Sequence, residues 1–294
     1  MRDVGGVGTG PRSPFHAVIR DVETSQSAKM DVPGFVPVDT VRPRSGAWSP
    51  EVALVPQEEP VTLTINGREL VTLLATPGDR SALAAGFLFD EGIIDRIEQI
   101  ESLEEEKAGV RVRAEGVDLG LRLFQRRVLG SGCGRSFTFT SALDALAAAG
   151  RVLPVDLPWV GASVVLRSAQ ATYSGGELYR RTRGTHAAAL FERTGAQVCL
   201  AEDIGRHNAV DKAVGGLLLV GRPLTGLFMV VTGRISSEMV NKIAKTPIAL
   251  IVTKSVPTGL ALGYARKVGL CVVGRATGSR LFAYTFPEML DPNA

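Results

Sequence analysis

Short runs of alternating apolar and polar residues begin near residue 50 and predict the first strands. Val61–Ile65 and Leu70–Ala75 each have the two-residue period of a half-buried strand. Asn66-Gly67 lies between them and favours a tight hairpin turn, because both residue types accept positive φ. The pattern therefore predicts a β-hairpin over residues 61–75.

A helix is predicted directly after this hairpin. Pro77-Gly78-Asp79 is a turn sequence, and Asp79 is a suitable N-cap for the helix that follows. Apolar residues then recur at helical spacing at Leu83, Phe87 and Leu88. We expect the helix to end at Glu91-Gly92.

The next segment completes a small α+β domain. Glu98–Lys107 is strongly acidic and is interpreted as a solvated helix face or loop. Val110–Arg113 and Leu119–Phe124 are predicted to be strands.

Strand and helix patterns alternate in the second half of the chain. The predicted strands lie near 186–191, 196–202, 226–232, 247–253 and 270–275. The predicted helices lie at about 164–175, 206–219, 236–245 and 258–268. This alternation is typical of a layered α/β domain.

The patterns divide the 294 residues into four parts. Residues 1–46 are rich in Gly, Pro, Ser and Arg without a sustained period, and we expect a flexible tail there. Residues 47–130 are the small α+β domain, and residues 131–160 are predicted to be a mobile cysteine loop and linker. Residues 161–294 are the larger α/β domain.

Bulk composition then narrows the class of protein. Apolar residues make up 45% and charged residues 21%, which is ordinary for a globular protein. The net charge of +3 is only mildly basic. Binding to duplex nucleic acid usually needs clustered positive charge, so the composition does not indicate it. No apolar run has the length of a membrane-spanning helix, and residues 1–30 lack the apolar segment of a signal peptide. We expect a soluble, cytoplasmic protein that binds neither nucleic acid nor membrane.

One thiol lies in an unusual setting. Cys133 is flanked by glycines in Gly130-Ser131-Gly132-Cys133-Gly134-Arg135, with Arg126 and Arg127 shortly before it. Glycines leave the surrounding backbone open, and nearby cations favour the reactive thiolate. The setting predicts a reactive cysteine, and an ordinary loop cysteine is the alternative.

The other two cysteines have a different environment. Cys199 and Cys271 lie in apolar runs typical of buried strands, where cysteine acts as a small hydrophobic residue. Three widely spaced cysteines make neither a disulfide framework nor a C-x-x-C zinc site. This usage is typical of a reducing compartment.

Basic residues follow three of the predicted strands. Arg206 and His207 open a helix, and Arg234 follows the next strand. The third cluster is Arg275, Ala276, Thr277, Gly278, Ser279 and Arg280. Ligands of open α/β sheets bind where strands end, and arginines and helix N-termini suit anions. We therefore expect these clusters to converge on one anionic ligand, while helix capping and surface ion pairs are the alternative. His207 is a better candidate than His186 for proton transfer or ligand contact, because His186 begins an apolar strand.

Several motifs in the same order resemble the FdhD family of formate dehydrogenase accessory sulfurtransferases. The resemblance extends from about Val52 to Leu290. Its main motifs are Thr76-Pro77-Gly78-Asp79, Ser131-Gly132-Cys133-Gly134, Thr185-His186-Ala187-Ala188, Glu202–Lys212 and Gly233-Arg234. Glu202–Lys212 is the most specific of them.

The resemblance implies a function, a fold and partners. Members of the family take sulfur from a cysteine desulfurase as a persulfide, at the position that Cys133 matches. They pass it to the molybdenum bis(molybdopterin guanine dinucleotide) cofactor, which is their bound substrate, before the cofactor enters formate dehydrogenase. The resemblance also implies a cytidine-deaminase-like larger domain, a homodimer, and a cofactor-binding role for Arg275–Arg280. A guanine nucleotide could mimic the cofactor.

One departure from the family pattern keeps an alternative open. Many members have a C-G-x-C pair, whereas this chain has Ser136 in the second position. A single thiol can still accept and release sulfane sulfur by exchange. The main alternative is a non-covalent carrier of the cofactor. A zinc deaminase is disfavoured because H-x-E and P-C-x-x-C are absent from the sequence, and a cysteine hydrolase using Cys133 and His207 is weaker still.

Overall fold

The computed structural model describes residues 34–117 and 156–294, together with the backbone of two short strands at 127–129 and 137–139. The fold is mixed α/β, with a long hairpin, a four-stranded sheet and a six-stranded sheet. In these described ranges, no helix is long and apolar enough to cross a membrane.

The described chain begins with an antiparallel hairpin. β1 (Phe35–Arg44) pairs with β2 (Ala47–Pro56) over the full length of both strands. The chain between 35 and 44 is therefore a strand, although the sequence places it in the predicted flexible tail. Its order comes from pairing with β2, which the local Pro- and Arg-rich composition does not indicate.

The small domain follows this hairpin. Its elements are β3 (Glu59–Ile65), β4 (Arg68–Ala75), α1 (Arg80–Asp90), β5 (Ile100–Glu106) and β6 (Gly109–Ala114). The strand order in its sheet is β4-β3-β6-β5. The predicted hairpin is confirmed, since Asn66 and Gly67 have φ of 49° and 78° in the turn between β3 and β4. The Asn66 amide also exchanges hydrogen bonds of 2.9 and 3.0 Å with the backbone of Ala114.

Two predictions for this domain are wrong in part. Asp79 does precede α1, but it has a left-handed φ of 51° and its side chain caps no backbone N–H of the helix. The acidic run is neither a helix nor a loop, because residues 100–106 form the edge strand β5. Charged side chains on an edge strand discourage pairing with other chains, so acidic character is compatible with a strand there.

Two short strands lie between the domains in sequence. β7 (Arg127–Leu129) and β8 (Phe137–Phe139) pair antiparallel, with Arg127 opposite Phe139. The predicted strand Leu119–Phe124 and the reactive-thiol candidate Cys133 lie outside the described residues.

The large domain has the predicted alternation of strands and helices. Its strands are β9 (Val160–Gly161), β10 (His186–Glu192), β11 (Gln197–Asp203), β12 (Leu227–Val231), β13 (Leu250–Thr253), β14 (Cys271–Thr277), β15 (Arg280–Thr285) and β16 (Leu290–Asp291). Its helices are α2 (Ala162–Gly175), α3 (Glu177–Thr182), α4 (Arg206–Leu219), α5 (Ser237–Ala244) and α6 (Gly259–Val268). Each strand and helix predicted beyond residue 160 is confirmed to within a few residues.

The six-stranded sheet has an apolar layer on each face. Its strand order is β11-β10-β12-β13-β14-β15; β11, β12, β13 and β14 run in one direction, and β10 and β15 run in the opposite direction. Helices α4, α5 and α6 cover one face through residues such as Val214 and Met239. Helix α2 covers the other face, where Val165 shares a core with the stacked rings of Phe191 and Phe228. Burial on both faces explains why the central strands have continuous apolar sequences.

The two domains pack together along α1 and α4 at very short range. A Cβ added to Gly215 of α4 would lie 2.0 Å from the carbonyl oxygen of Ala82, and one added to Gly86 of α1 would lie 1.9 Å from that of Asp211. Only glycine at these two positions lets the helix backbones approach so closely. This contact fixes the small domain on the face of the large domain that α4, α5 and α6 cover.

Candidate functional site

Several strand ends meet at one edge of the large sheet. β10 begins at His186, which is opposite Asp203 at the end of β11. The ends of β12 and β13 are joined by a hydrogen bond of 2.6 Å from Thr253 Oγ1 to Gly233 O. The end region of β14 joins them through a 2.8 Å bond from Arg275 N to the carbonyl of Ser255. The sequence predicts such convergence, and we call this region the strand edge.

Arg206 is placed at the strand edge by the start of α4. A Cβ on Gly233 would lie 3.0 Å from Arg206 Cδ and 3.5 Å from His186 Cε1, so the bare glycine lets both side chains lie against the end of β12. The Arg206 Nε is buried and has no hydrogen-bond partner among the described residues. Arg234, one residue after Gly233, is exposed beside it. Since buried N–H groups are normally satisfied, this arrangement favours a bound anion.

His207 lies deeper than Arg206. Its Nε2 is 3.3 Å from Glu238 Oε2, and the two side chains are only 14% and 11% exposed. Burial lowers the pKa of His207 to about 3, and the nearby positive charges of Lys242 and Arg206 add to this effect. The contact with Glu238 is therefore not an ion pair at neutral pH. A neutral imidazole with so low a pKa is suited to hydrogen bonding rather than to the predicted proton transfer.

His186 is the more accessible of the two histidines. Its Nδ1 is 3.3 Å from the Thr232 hydroxyl, which also accepts a 3.0 Å hydrogen bond from the backbone N–H of Ala187. Burial lowers its pKa, and the positive charges of Arg206 and Lys254 lower it further. His186 is thus a half-buried neutral ring at the strand edge rather than in the core.

Much of the specific segment Glu202–Lys212 holds the domains together. Asp203 Oδ2 accepts a 3.0 Å hydrogen bond from the backbone N–H of Thr76 and lies 2.9 Å from Lys212 Nζ. Lys212 Nζ also donates to the Thr76 carbonyl at 2.9 Å. Asn208 donates to a carbonyl of β4 at 2.8 Å. The ligand-binding interpretation of this segment therefore applies to Arg206 and His207, whereas Asp203, Asn208 and Lys212 are structural.

A second buried charge cluster lies one helical turn further along α4 and α5. Lys242 Nζ is 2.8 Å from Asp211 Oδ1 and 2.9 Å from Glu91 Oε1. Asp90 is buried beside them, and neither of its oxygens has a hydrogen-bond partner among the described residues. Burial raises the pKa of Asp90 well above its ordinary value, and the negative charge of Asp211 raises it further. Asp90 therefore keeps its proton to a higher pH than an ordinary carboxyl group, beside the lysine that contacts Asp211 and Glu91.

Arg275–Arg280 belong to a hairpin and not to a strand-to-helix junction. β14 continues to Thr277 and turns at Gly278 into β15. Arg275 has a left-handed φ of 49° where the pairing of β14 with β15 is irregular. Such irregularities redirect side chains, and the Arg275 guanidinium lies 5.6 Å from the centroid of the exposed Phe282 ring.

The members of this segment lie in different surroundings. Arg275 lies next to Ser255 at the strand edge, and Ala276 is fully buried in the core. Ser279 and Arg280 instead line a cavity of about 550 Å³ at the far end of the hairpin, together with Phe282 and the start of α2. In the described part of the chain, no group of three or more His, Cys, Asp or Glu side chains is arranged to hold a metal ion.

The two described cysteines are poor nucleophiles. Cys199 is half-buried in β11, and burial raises its pKa to about 11. Cys271 is buried in β14, and burial raises its pKa to about 12. Both thiols are therefore almost entirely protonated at pH 7. The strand setting predicted for both is confirmed, and Cys133 lies outside the described residues.

These features define a class: a two-domain α/β protein with a cationic strand edge suited to an anionic ligand. The chain belongs to the FdhD/NarQ family, which it matches over residues 56–291. The sulfur carrier protein FdhD of Shouchella clausii is 35% identical over 242 residues, which cover 81% of this chain and 90% of the relative. The sulfur carrier protein FdhD of Anaeromyxobacter sp. strain K is 33% identical over 293 residues, with 92% and 98% covered.

A solved structure has the same fold. The crystal structure of a candidate formate dehydrogenase accessory protein from Desulfotalea psychrophila matches with a TM-score of 0.71 at 25% identity. The match covers 88% of this chain and 100% of that one. The α/β class and the family are thus confirmed, while the deaminase-like arrangement of the larger domain stays a prediction.

Sequence reasoning missed one cation of the strand edge. Lys254 directly follows β13 and is half-buried beside Tyr173 and Tyr179. The signal was present, because a lysine follows the apolar run Leu250–Thr253 in the same way that Arg234 follows β12. Thr76 belongs to one of the family motifs, but the sequence does not indicate its contacts with Asp203 and Lys212, which lie more than a hundred positions away.

Proposed function

We propose that this protein is a sulfur carrier for formate dehydrogenase and that it carries sulfur as a persulfide on Cys133. The observation that carries the proposal is the contrast among its three cysteines. Cys199 and Cys271 are strand residues whose raised pKa values keep them as thiols. Cys133 lies between glycines with arginines nearby in sequence, a setting that favours the thiolate. The curated relatives that match most of the chain are named as sulfur carriers, which supports the same conclusion.

The loading step is a thiol exchange without net oxidation. The Cys133 thiolate attacks the outer sulfur of a persulfide on a cysteine desulfurase. The sulfur–sulfur bond of the donor breaks, the donor cysteine leaves as a thiolate, and a new sulfur–sulfur bond forms at Cys133. The outer sulfur keeps its proton, so charge and atoms balance.

The acceptor in this proposal is the molybdenum bis(molybdopterin guanine dinucleotide) cofactor, bound as a substrate. Its pyrophosphate groups are anionic, and the strand edge offers Arg206, Arg234 and Arg275. The buried Arg206 Nε lacks a protein partner in the described residues, which supports an anion there. The loaded cofactor is then delivered to formate dehydrogenase. The carrier acts in the cytoplasm as a homodimer in this proposal.

Mass spectrometry of the intact protein and its peptides tests the proposal. The protein is incubated with a cysteine desulfurase and cysteine, and one added sulfur that dithiothreitol removes is expected on Cys133. Cys199→Ser and Cys271→Ser are the matched controls and should gain sulfur normally. A Cys133→Ser variant that gains as much sulfur as the wild type would contradict the assignment.

A non-covalent cofactor carrier is the second candidate, and Ser136 favours it. Serine occupies the position where many members have a second cysteine, so no second thiol is available there to receive or release sulfur. This candidate predicts guanine-nucleotide binding without any added sulfur on the protein. The same incubation, followed by a GDP-binding measurement, separates the two functions.

A further inference from the structure

Lys254 is a half-buried cation whose described contacts are with aromatic faces. Its Nζ lies 5.3 Å from the ring centroid of Tyr173 and 5.2 Å from that of Tyr179. Among the described residues, it forms no ion pair with a carboxylate. Aromatic faces stabilise an ammonium only in part, so a partly desolvated lysine held in this way still favours an anion.

The aromatic support of Lys254 is itself fixed in place. Tyr179 is near the start of α3, and its backbone N–H donates to Glu202 Oε1 at 2.8 Å, while the preceding N–H donates to the second oxygen at 2.9 Å. The Arg183 guanidinium lies 5.3 Å from the Tyr179 ring centroid. The carboxylates of this edge are therefore occupied, Glu202 by backbone donors and Asp203 by Lys212. Neither is available to neutralise Lys254.

Tyr173 contributes a second unsatisfied group. Its hydroxyl is buried and has no hydrogen-bond partner among the described residues. Burial raises the pKa of this phenol, so the hydroxyl keeps its proton and is a donor at neutral pH. A buried donor without a partner is costly in the free protein and favours an acceptor from a ligand.

This group of residues is continuous with the strand edge. β12 and β13 are parallel neighbours with Val231 opposite Thr253, which places Lys254 beside the turn that contains Gly233. The positive charges of Arg206 and Lys254 both lower the pKa of His186, which is consistent with both cations lying near this imidazole. Arg206 belongs to the face covered by α4, whereas Lys254 lies against α2 and α3. The strand edge is thus cationic on both faces of the sheet.

We propose that Lys254 and the Tyr173 hydroxyl form a second anion subsite at the strand edge, which binds a phosphate group of the nucleotide part of the ligand. The inference rests on the proposed function, because it extends the strand-edge site described there. Lys254 supplies charge, Tyr173 donates a hydrogen bond, and Tyr179 holds the ammonium in place. A ligand with two phosphates would span the two faces, with one phosphate near Arg206 and the other near Lys254.

Binding of GDP, GMP and inorganic pyrophosphate to the full chain tests the subsite by calorimetry. Lys254→Met should weaken GDP and pyrophosphate binding by at least tenfold and GMP binding by less, since charge-assisted hydrogen bonds typically contribute that much. Lys254→Arg should recover part of the loss, and Tyr173→Phe should weaken binding severalfold. Lys267→Met removes the same charge in the last turn of α6, at the opposite edge of the sheet, and should have no effect.

The outcomes separate the subsite from the proposed function. If Lys254→Met binds GDP and pyrophosphate within twofold of the wild type while Arg206→Gln loses both, the subsite is wrong and the strand-edge site stands. If the wild type binds none of the three ligands, the nucleotide-binding part of the proposed function is wrong and the subsite with it. Persulfide formation on Cys133 is independent of either result. The thermal unfolding temperatures of Lys254→Arg and Tyr173→Phe are compared with that of the wild type. Equal temperatures would show that weakened binding is not caused by misfolding.

Discussion

A single methyl group at the domain contact should have opposite effects at two neighbouring positions. Gly215 and Gly216 are consecutive residues of α4, and Gly215 faces α1. A Cβ at Gly215 would lie 2.0 Å from Ala82 O and 2.5 Å from Gly86 N, whereas a Cβ at Gly216 would lie 3.9 Å from its nearest neighbour, the Ala82 methyl. Gly215→Ala should therefore destabilise the protein, and Gly216→Ala should not.

The magnitude follows from the distances. At Gly215 the shortest contact is about 1.4 Å short of ordinary van der Waals separation, and both obstructing atoms belong to the backbone of α1. Such overpacking costs about 3 kcal/mol, partly offset by about 1 kcal/mol from the better helix propensity of alanine. Gly216→Ala retains the propensity gain alone. The free energies of unfolding of the two variants should therefore differ by about 3 kcal/mol.

Urea unfolding followed by circular dichroism measures this difference. The wild type, Gly215→Ala and Gly216→Ala are compared at one pH and protein concentration. We expect the midpoint of Gly215→Ala to fall clearly below the wild type and that of Gly216→Ala to equal or exceed it. Equal midpoints for the two variants would refute the close approach of α1 and α4.

Three further predictions follow from the buried charges, the thiols and the strand edge. Because burial raises the pKa of native Asp90 above that of the unfolded chain, its contribution to stability should fall as pH rises above the ordinary carboxyl pKa of about 4, by at most about 1.4 kcal/mol per unit for this proton. Asp90→Asn should flatten that slope in urea midpoints measured from pH 4 upward, and an unchanged slope would contradict the raised pKa of Asp90. Iodoacetamide at pH 7.5 should label Cys133 at least a hundredfold faster than Cys199 or Cys271, as followed by peptide mapping, and equal rates would contradict the assigned reactivities. Arg206→Gln should weaken GDP binding about tenfold or more, whereas Arg193→Gln, an exposed control in the β10–β11 turn, should not; equal affinities would remove Arg206 from the site.

The sequence correctly predicted those elements that are determined by residues close together in the chain. The Asn66-Gly67 turn is confirmed because its requirement for positive φ is a property of the two residues themselves. Helix α4 has the predicted bounds because a glycine precedes Arg206 and the helix-forming sequence continues to Leu219. The apolar strands of the large domain were recognisable because both of their faces are buried.

The errors occur where distant residues decide the structure. β1 depends on pairing with β2, and the acidic β5 depends on its place at the edge of a sheet. Asp79 has a left-handed backbone conformation. Aspartate tolerates this conformation, but the neighbouring sequence does not predict it.

The position of the candidate site was predicted, but some residues that the sequence assigns to ligand binding are structural. Arg206 and Arg234 are next to the end of β12, and the backbone of Arg275 bonds to Ser255 beyond the end of β13, while their convergence on one ligand stays a prediction. The sequence could not distinguish Arg206, which faces that edge, from Lys212, which is buried against Thr76 in the small domain. Both lie in one polar segment, and only the three-dimensional contact between the domains separates them.

Sulfur loading of Cys133 tests the central claim most directly. The wild type and Cys133→Ser are incubated with a cysteine desulfurase and cysteine, and the products are mapped by peptide mass spectrometry with and without dithiothreitol. We expect one added sulfur on Cys133, removed by dithiothreitol and absent from Cys199 and Cys271. A wild-type protein that binds GDP but gains no sulfur would contradict the persulfide carrier and leave the non-covalent one.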